Sequence, residues 1–343
     1  MGQLCNKIVV SVLRRLLYND DMLLVFYLIF LNLFDFIIYG VDKYKAKNDK
    51  WRISEGFLLL TAFFGGSLGA WAGMLIWHHK TRKPKFYITV PVLSVLLIIC
   101  CALCLYSNYH LTVSEYNVEI GLPEELTIVQ ISDLHNQSFG IGNSELMRRI
   151  EEQSPDMIVV TGDVIDSTHT SYSIALDFFE KASTIAPVYY ITGNHEVRLM
   201  GSRFNEFLTR LDELGVIYLD DRYIDCGSYI IAGIADISLD DFHAYEAFDD
   251  SKPVILLAHE PQYDGLYSSL GADLALTGHY HGGQIIIPGK GGMMSPEFEF
   301  FPSIYEGIHD FSGMKLVLSR GLGNSVFPVR INDYPEIVVV KVH

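Results

Sequence analysis

The chain has 343 residues, half of them hydrophobic and only 19% charged, with a mean hydropathy of +0.24. That composition excludes a disordered or collagen-like chain and a disulfide-stapled miniprotein. A formal charge of −16 argues against nucleic acid as the main partner, because phosphate contacts need Lys and Arg.

The charge is unevenly spread. Residues 1–106 hold twelve Lys and Arg against six Asp and Glu, whereas residues 107–343 hold thirteen against thirty-five. A basic, apolar front of residues 1–110 is therefore expected to precede an acidic, globular back of residues 111–343. Four of the five cysteines lie in the front, and Cys226 is alone in the back. The back must fold on its own core and not on a disulfide.

In the front, three apolar runs, about Met22–Tyr39, Gly56–Trp77 and Phe86–Tyr106, have the ~20 residues of a membrane-spanning helix. Arg14-Arg15 ahead of them echoes a twin-arginine export signal, but Asn19-Asp20-Asp21 interrupts the pattern. The stretch Ile8–Tyr18 suits an interfacial position. Asp35 is an acid within the first run, which reads either as a functional group or as a side chain that snorkels or pairs with a lysine of the next loop. Gly65, Gly69 and Gly73 recur at four-residue spacing, so one stripe of small residues would let a partner helix approach closely. Gly65-Gly66-Ser67-Leu68-Gly69 spells a nucleophile-elbow pattern, but inside an apolar run and not on a strand-to-helix turn.

With three spans, Lys7, Arg14, Arg15, Lys80, Arg82, Lys83 and Lys85 share one side. Lys43, Lys45, Lys47, Lys50 and Arg52 share the other with the back domain, which has no Lys or Arg between Tyr106 and Arg148. This seven-to-five bias places the back outside the cytoplasm, and a re-entrant second run is expected to reverse it. Asp42-Lys43, Trp51-Arg52-Ile53-Ser54-Glu55, Gly65-Gly66 with Gly69, and His79-Lys80-Thr81 before Phe86 resemble a small bacterial membrane-domain family. The resemblance covers about residues 23–90 and implies no activity.

From Leu126 onward, short apolar runs alternate with helix-like segments, the pattern of an α/β domain with central strands buried on both faces. The runs Leu126–Ile131, Met157–Val160, Val188–Ile191, Val254–Leu257 and Leu274–Leu276 are followed by Asp133-Leu134-His135, Gly162-Asp163, Gly193-Asn194-His195-Glu196, His259 and Gly278-His279-Tyr280-His281. Ligands of open α/β sheets bind beyond the carboxyl ends of strands, so these donors are expected along one sheet edge. Buried together without a cation, they would carry a large desolvation cost. Two divalent ions remove it, and imidazole with carboxylate but no thiolate suits Mn, Fe or Zn.

The ordered set D-x-H, G-D, G-N-H-E, H and G-H-x-H resembles the calcineurin-like metallophosphoesterases, from about Glu119 to the C-terminus. Gly282-Gly283-Gln284, Arg320-Gly321-Leu322-Gly323 and Pro328-Val329-Arg330-Ile331-Asn332 further resemble the bacterial membrane- and cell-wall-associated phosphodiesterases. The resemblance implies a bimetallic β-sandwich flanked by helices, hydrolysing phosphodiesters through a hydroxide between the metals. It implies Asp133, His135 and His281 on the first metal, Asn194, His259 and His279 on the second, and Asp163 bridging them. His195 would serve the leaving group, with Glu196 orienting it.

Arg320 is a candidate phosphate grip and Arg330 a structural pair, while His169, His243 and His309 read as ordinary histidines. The acidic pairs Asp240-Asp241 and Asp249-Asp250 read as a solvated face. The region 284–306 is rich in Ile, Met and Phe beside the last ligands; it reads either as core or as an apolar lip for an acyl-chain substrate. Resemblance to relatives that cleave a diacylated UDP-sugar implies that lipid-linked phosphodiester as one candidate. The alternative to an enzyme is a membrane scaffold or sensor whose back domain binds metal without turnover.

Overall fold

The computed structural model describes residues 21–235, 251–324 and 329–343, which form two compact units meeting at Leu105 and Tyr106. Lys7, Arg14, Arg15, His243, Pro328 and the acidic pairs at 240–241 and 249–250 lie outside the described residues.

The first unit is helical: α1 (Asp21–Lys47), α2 (Glu55–Thr61), α3 (Ser67–Ile76), α4 (Pro84–Tyr87) and α5 (Thr89–Tyr109). Leu24–Lys47, Glu55–Ile76 and Pro84–Tyr109 are each long and apolar enough to cross a membrane. The second of these is not one straight helix. Ala62–Gly66 forms a π turn in which Gly65 adopts φ +118°, a conformation open to a residue without Cβ.

The small-residue stripe finds its partner within the chain. A Cβ on Gly69 would lie 1.8 Å from the Asn32 carbonyl oxygen, and one on Gly73 would lie 2.9 Å from Tyr39 Cβ. Helix α1 therefore fills the place expected for a partner helix, while Gly65 belongs to the break. Asp35 does not reach a loop lysine. It is fully buried, with Oδ2 only 2.2 Å from where a Cβ on Gly66 would lie.

The second unit contains two six-stranded sheets. The first runs β1 (Thr112–Val118), β14 (Glu336–Val342), β2 (Leu126–Ile131), β3 (Met157–Thr161), β4 (Val188–Ile191), β5 (Ile217–Tyr218). The second runs β12 (Gly307–Phe311), β13 (Met314–Leu318), β9 (Leu274–Thr277), β8 (Val254–Leu257), β7 (Ile230–Gly233), β6 (Arg222–Asp225). Strands β2, β3 and β4 are mutually parallel, as are β7, β8 and β9. A small ribbon pairs β10 (Ile286–Ile287) with β11 (Gly291–Gly292).

Period-two alternation divides each strand between two cores. Ile128, Met157, Val159, Ile255, Leu257, Leu274 and Leu276 pack together between the sheets. Their neighbours Val129, Ile158 and Val160 face the helical layer. That layer comprises α6 (Ser144–Glu151), α7 (Tyr172–Ala182) and α9 (Ser202–Glu213), with the one-turn α8 (Asn194–Val197) between them in sequence. Helix α7 buries Ala175, Phe178, Phe179 and Ala182, a three-and-four spacing that makes one apolar face. On the far side, α10 (Asp264–Ser269) packs Leu266 and Tyr267 against the outward residues of β8 and β9. The fold is thus a β-sandwich flanked by helices.

Candidate metal centre

The expected donors do gather, but from both sheets and not along one edge. Strands β2, β3 and β4 supply Asp133, His135, Asp163, Asn194 and His195 from the first sheet; β8 and β9 supply His259, His279 and His281 from the second. The buried Gln130 ties the two together, donating from Nε2 to Thr161 Oγ1 (3.0 Å) and to the Thr277 carbonyl (2.9 Å).

The backbone past the strand ends turns sharply. Asp133, His135, Asp163, His279 and His281 all have positive φ, between 43° and 71°. Each such conformation costs a non-glycine residue about 1–3 kcal/mol and clusters at functional sites. The loops then brace one another: Asp133 N–H donates to the Gly162 carbonyl (3.0 Å), His135 N–H to that of Asp163 (2.9 Å) and Gly278 N–H to that of His259 (2.9 Å). Gly278 permits this approach, since its Cβ would lie 1.9 Å from Ser132 Oγ.

Two groups result. Ligand atoms of Asp133, His135 and His281 lie within 4.8 Å of one another, as do those of Asp163, His259 and His279. One oxygen stands between them: Asp163 Oδ2 is 3.6 Å from His135 Nε2 and 3.3 Å from His259 Nε2. Its other oxygen accepts the His195 backbone N–H at 2.8 Å. The same carboxylate therefore faces both groups.

The hydrogen bonds also set proton positions. His259 Nδ1 meets the Thr161 carbonyl at 2.8 Å; a carbonyl only accepts, so Nδ1 carries the proton and Nε2 presents its lone pair toward Asp163. Burial, against the pull of Asp133, pushes the His281 pKa down to about 3, which keeps that ring in the neutral, ligating form. Burial also opposes protonation of His135, but Asp166, Asp163 and Asp133 outweigh it and raise its pKa. His135 Nε2 and Asn194 Oδ1 are buried with no hydrogen-bond partner among the described residues. Buried polar atoms left without hydrogen-bond partners, beside buried carboxylates, fit a pair of divalent cations.

Three contributors are not recognisable from the motifs. Asp166 Oδ2 lies 3.5 Å from His135 Nδ1 and 3.8 Å from His195 Nδ1. Ser167 donates its backbone N–H to His195 Nδ1 at 3.1 Å, so the neutral His195 ring keeps its proton on Nε2. Glu297, from the apolar region, meets His279 Nε2 at 3.0 Å. The only signal for Asp166 was its place three residues beyond Asp163; Glu297 had none.

Two expectations are corrected. Glu196 uses its carboxylate on backbone, accepting from Asp163 N–H (2.8 Å), Ile165 N–H (2.9 Å) and Gly193 N–H (3.0 Å). It clamps the two ligand loops, and Ser167 with Asp166 borders the His195 ring in its stead. Arg320 is held by Glu306 (3.2 Å) and Glu336 (3.0 Å), which ties β14 to its surroundings and occupies the guanidinium expected to grip phosphate. Arg330 is structural as expected, fully buried on Asp333 (3.2 Å) and the Gly323 carbonyl (2.6 Å). Of the three histidines read as ordinary, the two described have local partners: His309 Nε2 meets the Glu306 carbonyl at 2.9 Å, and His169 Nδ1 meets Thr168 Oγ1 at 3.0 Å. In the apolar region, Phe298, Phe300 and Phe301 are exposed, which decides against a core packing for those rings.

Comparison with known proteins agrees with this centre. A family model described as calcineurin-like phosphoesterase matches residues 126–283, and one described as protein of unknown function (DUF1294) matches residues 32–86. The metallophosphoesterase YkuE of Bacillus subtilis is 30% identical over 223 residues, 62% of this chain and 77% of that one. The metallophosphoesterase Cj0846 of Campylobacter jejuni is 26% identical across 92% of this chain and 88% of its own length. YsdA of Bacillus subtilis is 43% identical over 90 residues, 26% of this chain and all of that protein. The chain belongs to the calcineurin-like phosphoesterases, metal-dependent enzymes that hydrolyse phosphate esters.

Proposed function

We propose a membrane-anchored phosphodiesterase with two divalent ions, Mn, Fe or Zn. Asp133, His135 and His281 hold one ion, Asn194, His259 and His279 the other, and Asp163 both. The observation that carries this reading is the single oxygen, Asp163 Oδ2, lying 3.6 Å and 3.3 Å from imidazoles of the two groups. When bound, the ions supply Lewis acidity to the phosphoryl oxygens and lower the pKa of water for attack.

The protein does the rest. Ser167 and Asp166 border the His195 ring, leaving an Nε2–H able to donate to the departing ester oxygen. Glu196 fixes the spacing of the Asp163 and Asn194 loops through three backbone N–H bonds. The exposed Phe298, Phe300 and Phe301, on the segment whose Glu297 contacts His279, support an apolar moiety in the substrate. A lipid-linked phosphodiester such as a diacylated UDP-sugar fits that description, and the positive-inside bias supports an extracytoplasmic site.

Detergent-solubilised protein assayed with Mn on a soluble chromogenic phosphodiester and on lipid-linked phosphodiesters tests the proposal. Turnover of both, with preference for the lipid, is expected. Metal binding without turnover of either would leave a scaffold or sensor.

A further inference from the structure

We infer that Glu55–Ile76 does not cross the membrane but forms a re-entrant helical hairpin, so that two of the three apolar segments among the described residues cross it. The contacts with α1 order the segment in depth. Going down α2, Ile53 N–H donates to Asp42 Oδ1 (2.9 Å), the Leu58 carbonyl meets Tyr39 Oη (3.5 Å), and Phe57 packs edge-on to Phe34 (6.4 Å between centroids). At the break, the Phe64 carbonyl accepts from Tyr27 Oη (2.9 Å) and the Gly65 carbonyl from Asn32 Nδ2 (2.8 Å).

Along α3 the partners climb back. Gly69 N–H donates to Asn32 Oδ1 (2.8 Å), Trp77 Nε1 to the Phe36 carbonyl (3.2 Å), and Lys43 Nζ to the His78 carbonyl (3.0 Å). His79 Nε2 finally meets Asp42 Oδ2 at 2.7 Å. The α1 partners thus fall from 42 to 27 and return to 42.

The two ends of the segment also touch each other. Lys80 Nζ lies 2.8 Å from Glu55 Oε1 and Lys83 Nζ 2.5 Å from it. Residues 55–76, 22 in number, would span about 33 Å as a straight helix, which would carry Glu55 and Lys80 to opposite faces.

A broken helix is tolerated at membrane depth only where its backbone is satisfied within the protein. Asn32 does this, its amide bridging Gly65 O and Gly69 N across the break. The exposed Phe63 and Phe64 give the hairpin an apolar tip. Pro84–Tyr109 then leaves from the Asp42 end, where Phe86 packs edge-on to Tyr39 (6.3 Å between centroids), and makes the second crossing.

This arrangement changes the charge count. Lys43, Lys45, Lys47, Lys50, Arg52, Lys80, Arg82, Lys83 and Lys85 now share one side, nine in all. The other side holds Lys7, Arg14 and Arg15, and no Lys or Arg between Tyr106 and Arg148. Nine against three puts both basic loops in the cytoplasm. With the hairpin, the charge count keeps the metal centre outside with a wider margin and does not reverse the catalytic side. The substrates of that centre are then phosphate esters of the external membrane face or the space beyond it. The hairpin itself does not depend on how the metal centre is read.

Single cysteines introduced into a full-length, cysteine-free protein that remains monodisperse in detergent test the inference. Asn48→Cys and Thr81→Cys lie in the two basic loops, and Glu213→Cys reports on the catalytic unit. With a membrane-impermeant maleimide on intact right-side-out membranes, Glu213→Cys should label, while Asn48→Cys and Thr81→Cys should label only after lysis. Labelling of Asn48→Cys and Thr81→Cys from opposite sides would overturn the hairpin. Both loop positions labelled outside, with Glu213→Cys protected, would keep the hairpin and overturn the compartment. The pair Glu55→Cys with Lys80→Cys should be joined by a short bifunctional maleimide, because their side chains meet; absence of that cross-link beside efficient labelling of each thiol would also count against the hairpin. Turnover in detergent is indifferent to sidedness, so failure of the enzymatic reading would appear there alone.

Discussion

At the residue scale, Asp163 is the most informative position. Its Oδ1 accepts the His195 backbone N–H, and its Oδ2 faces both imidazole groups. If Asp163 serves two ions as proposed, Asp163→Asn removes the charge they share, and should lose activity and most of the metal. His281→Ala, which faces Asp133 at 3.5 Å, should weaken one ion preferentially. Metal analysis of the purified variants decides between them, and two ions at full activity in Asp163→Asn would refute the bridge.

His195 separates binding from chemistry. His195→Ala should keep both ions yet lose roughly 10²–10⁴ in turnover on esters with poor leaving groups. The loss should shrink with nitrophenolate, which departs without a proton. Equal losses on both substrate types would contradict a proton-donating role.

At the scale of elements, the segment after β9 connects the centre to its surroundings. Glu297 holds His279 at 3.0 Å while its neighbours Phe298, Phe300 and Phe301 stay exposed. Phe298 and Phe301 also adopt φ of 65° and 56°, unusual for such bulky side chains. Phe300→Ser with Phe301→Ser should leave hydrolysis of a small soluble phosphodiester nearly unchanged and depress that of a lipid phosphodiester in micelles. Equal losses on both would assign these rings to the fold and not to substrate.

The strands were easier to read than this segment. β2, β3, β8 and β9 are short runs of apolar residues with turn motifs behind them, a pattern set by local sequence. The path of residues 284–306 depends on what they meet in space, and its charge and aromatic content suited core and surface equally.

At the scale of the whole molecule, metal binding and stability should be linked. Buried carboxylates and imidazoles from two sheets meet at one place, and bound ions would compensate the desolvation they suffer on folding. Free metal at about 100 times its Kd should add about 2.7 kcal/mol to the catalytic unit. Thermal melts of purified protein with Mn, then with chelator, measure it; a Tm indifferent to metal would show that the ligands are satisfied without it.

What the sequence determined by itself was the inventory of chemistry: which donors follow which strands, and that a basic apolar module precedes an acidic α/β domain. Those properties are local, because a strand, its turn and the residue after the turn are contiguous. Tertiary structure alone decided that donors from two sheets converge, that Glu196 clamps loops while Asp166 and Ser167 border the His195 imidazole, and that Arg320 belongs to Glu306 and Glu336. It also decided that an apolar stretch of spanning length folds back on itself. Hydropathy counts residues along the chain, whereas Asn32, Asp42 and Gly65 act across it, through contacts between positions distant in sequence.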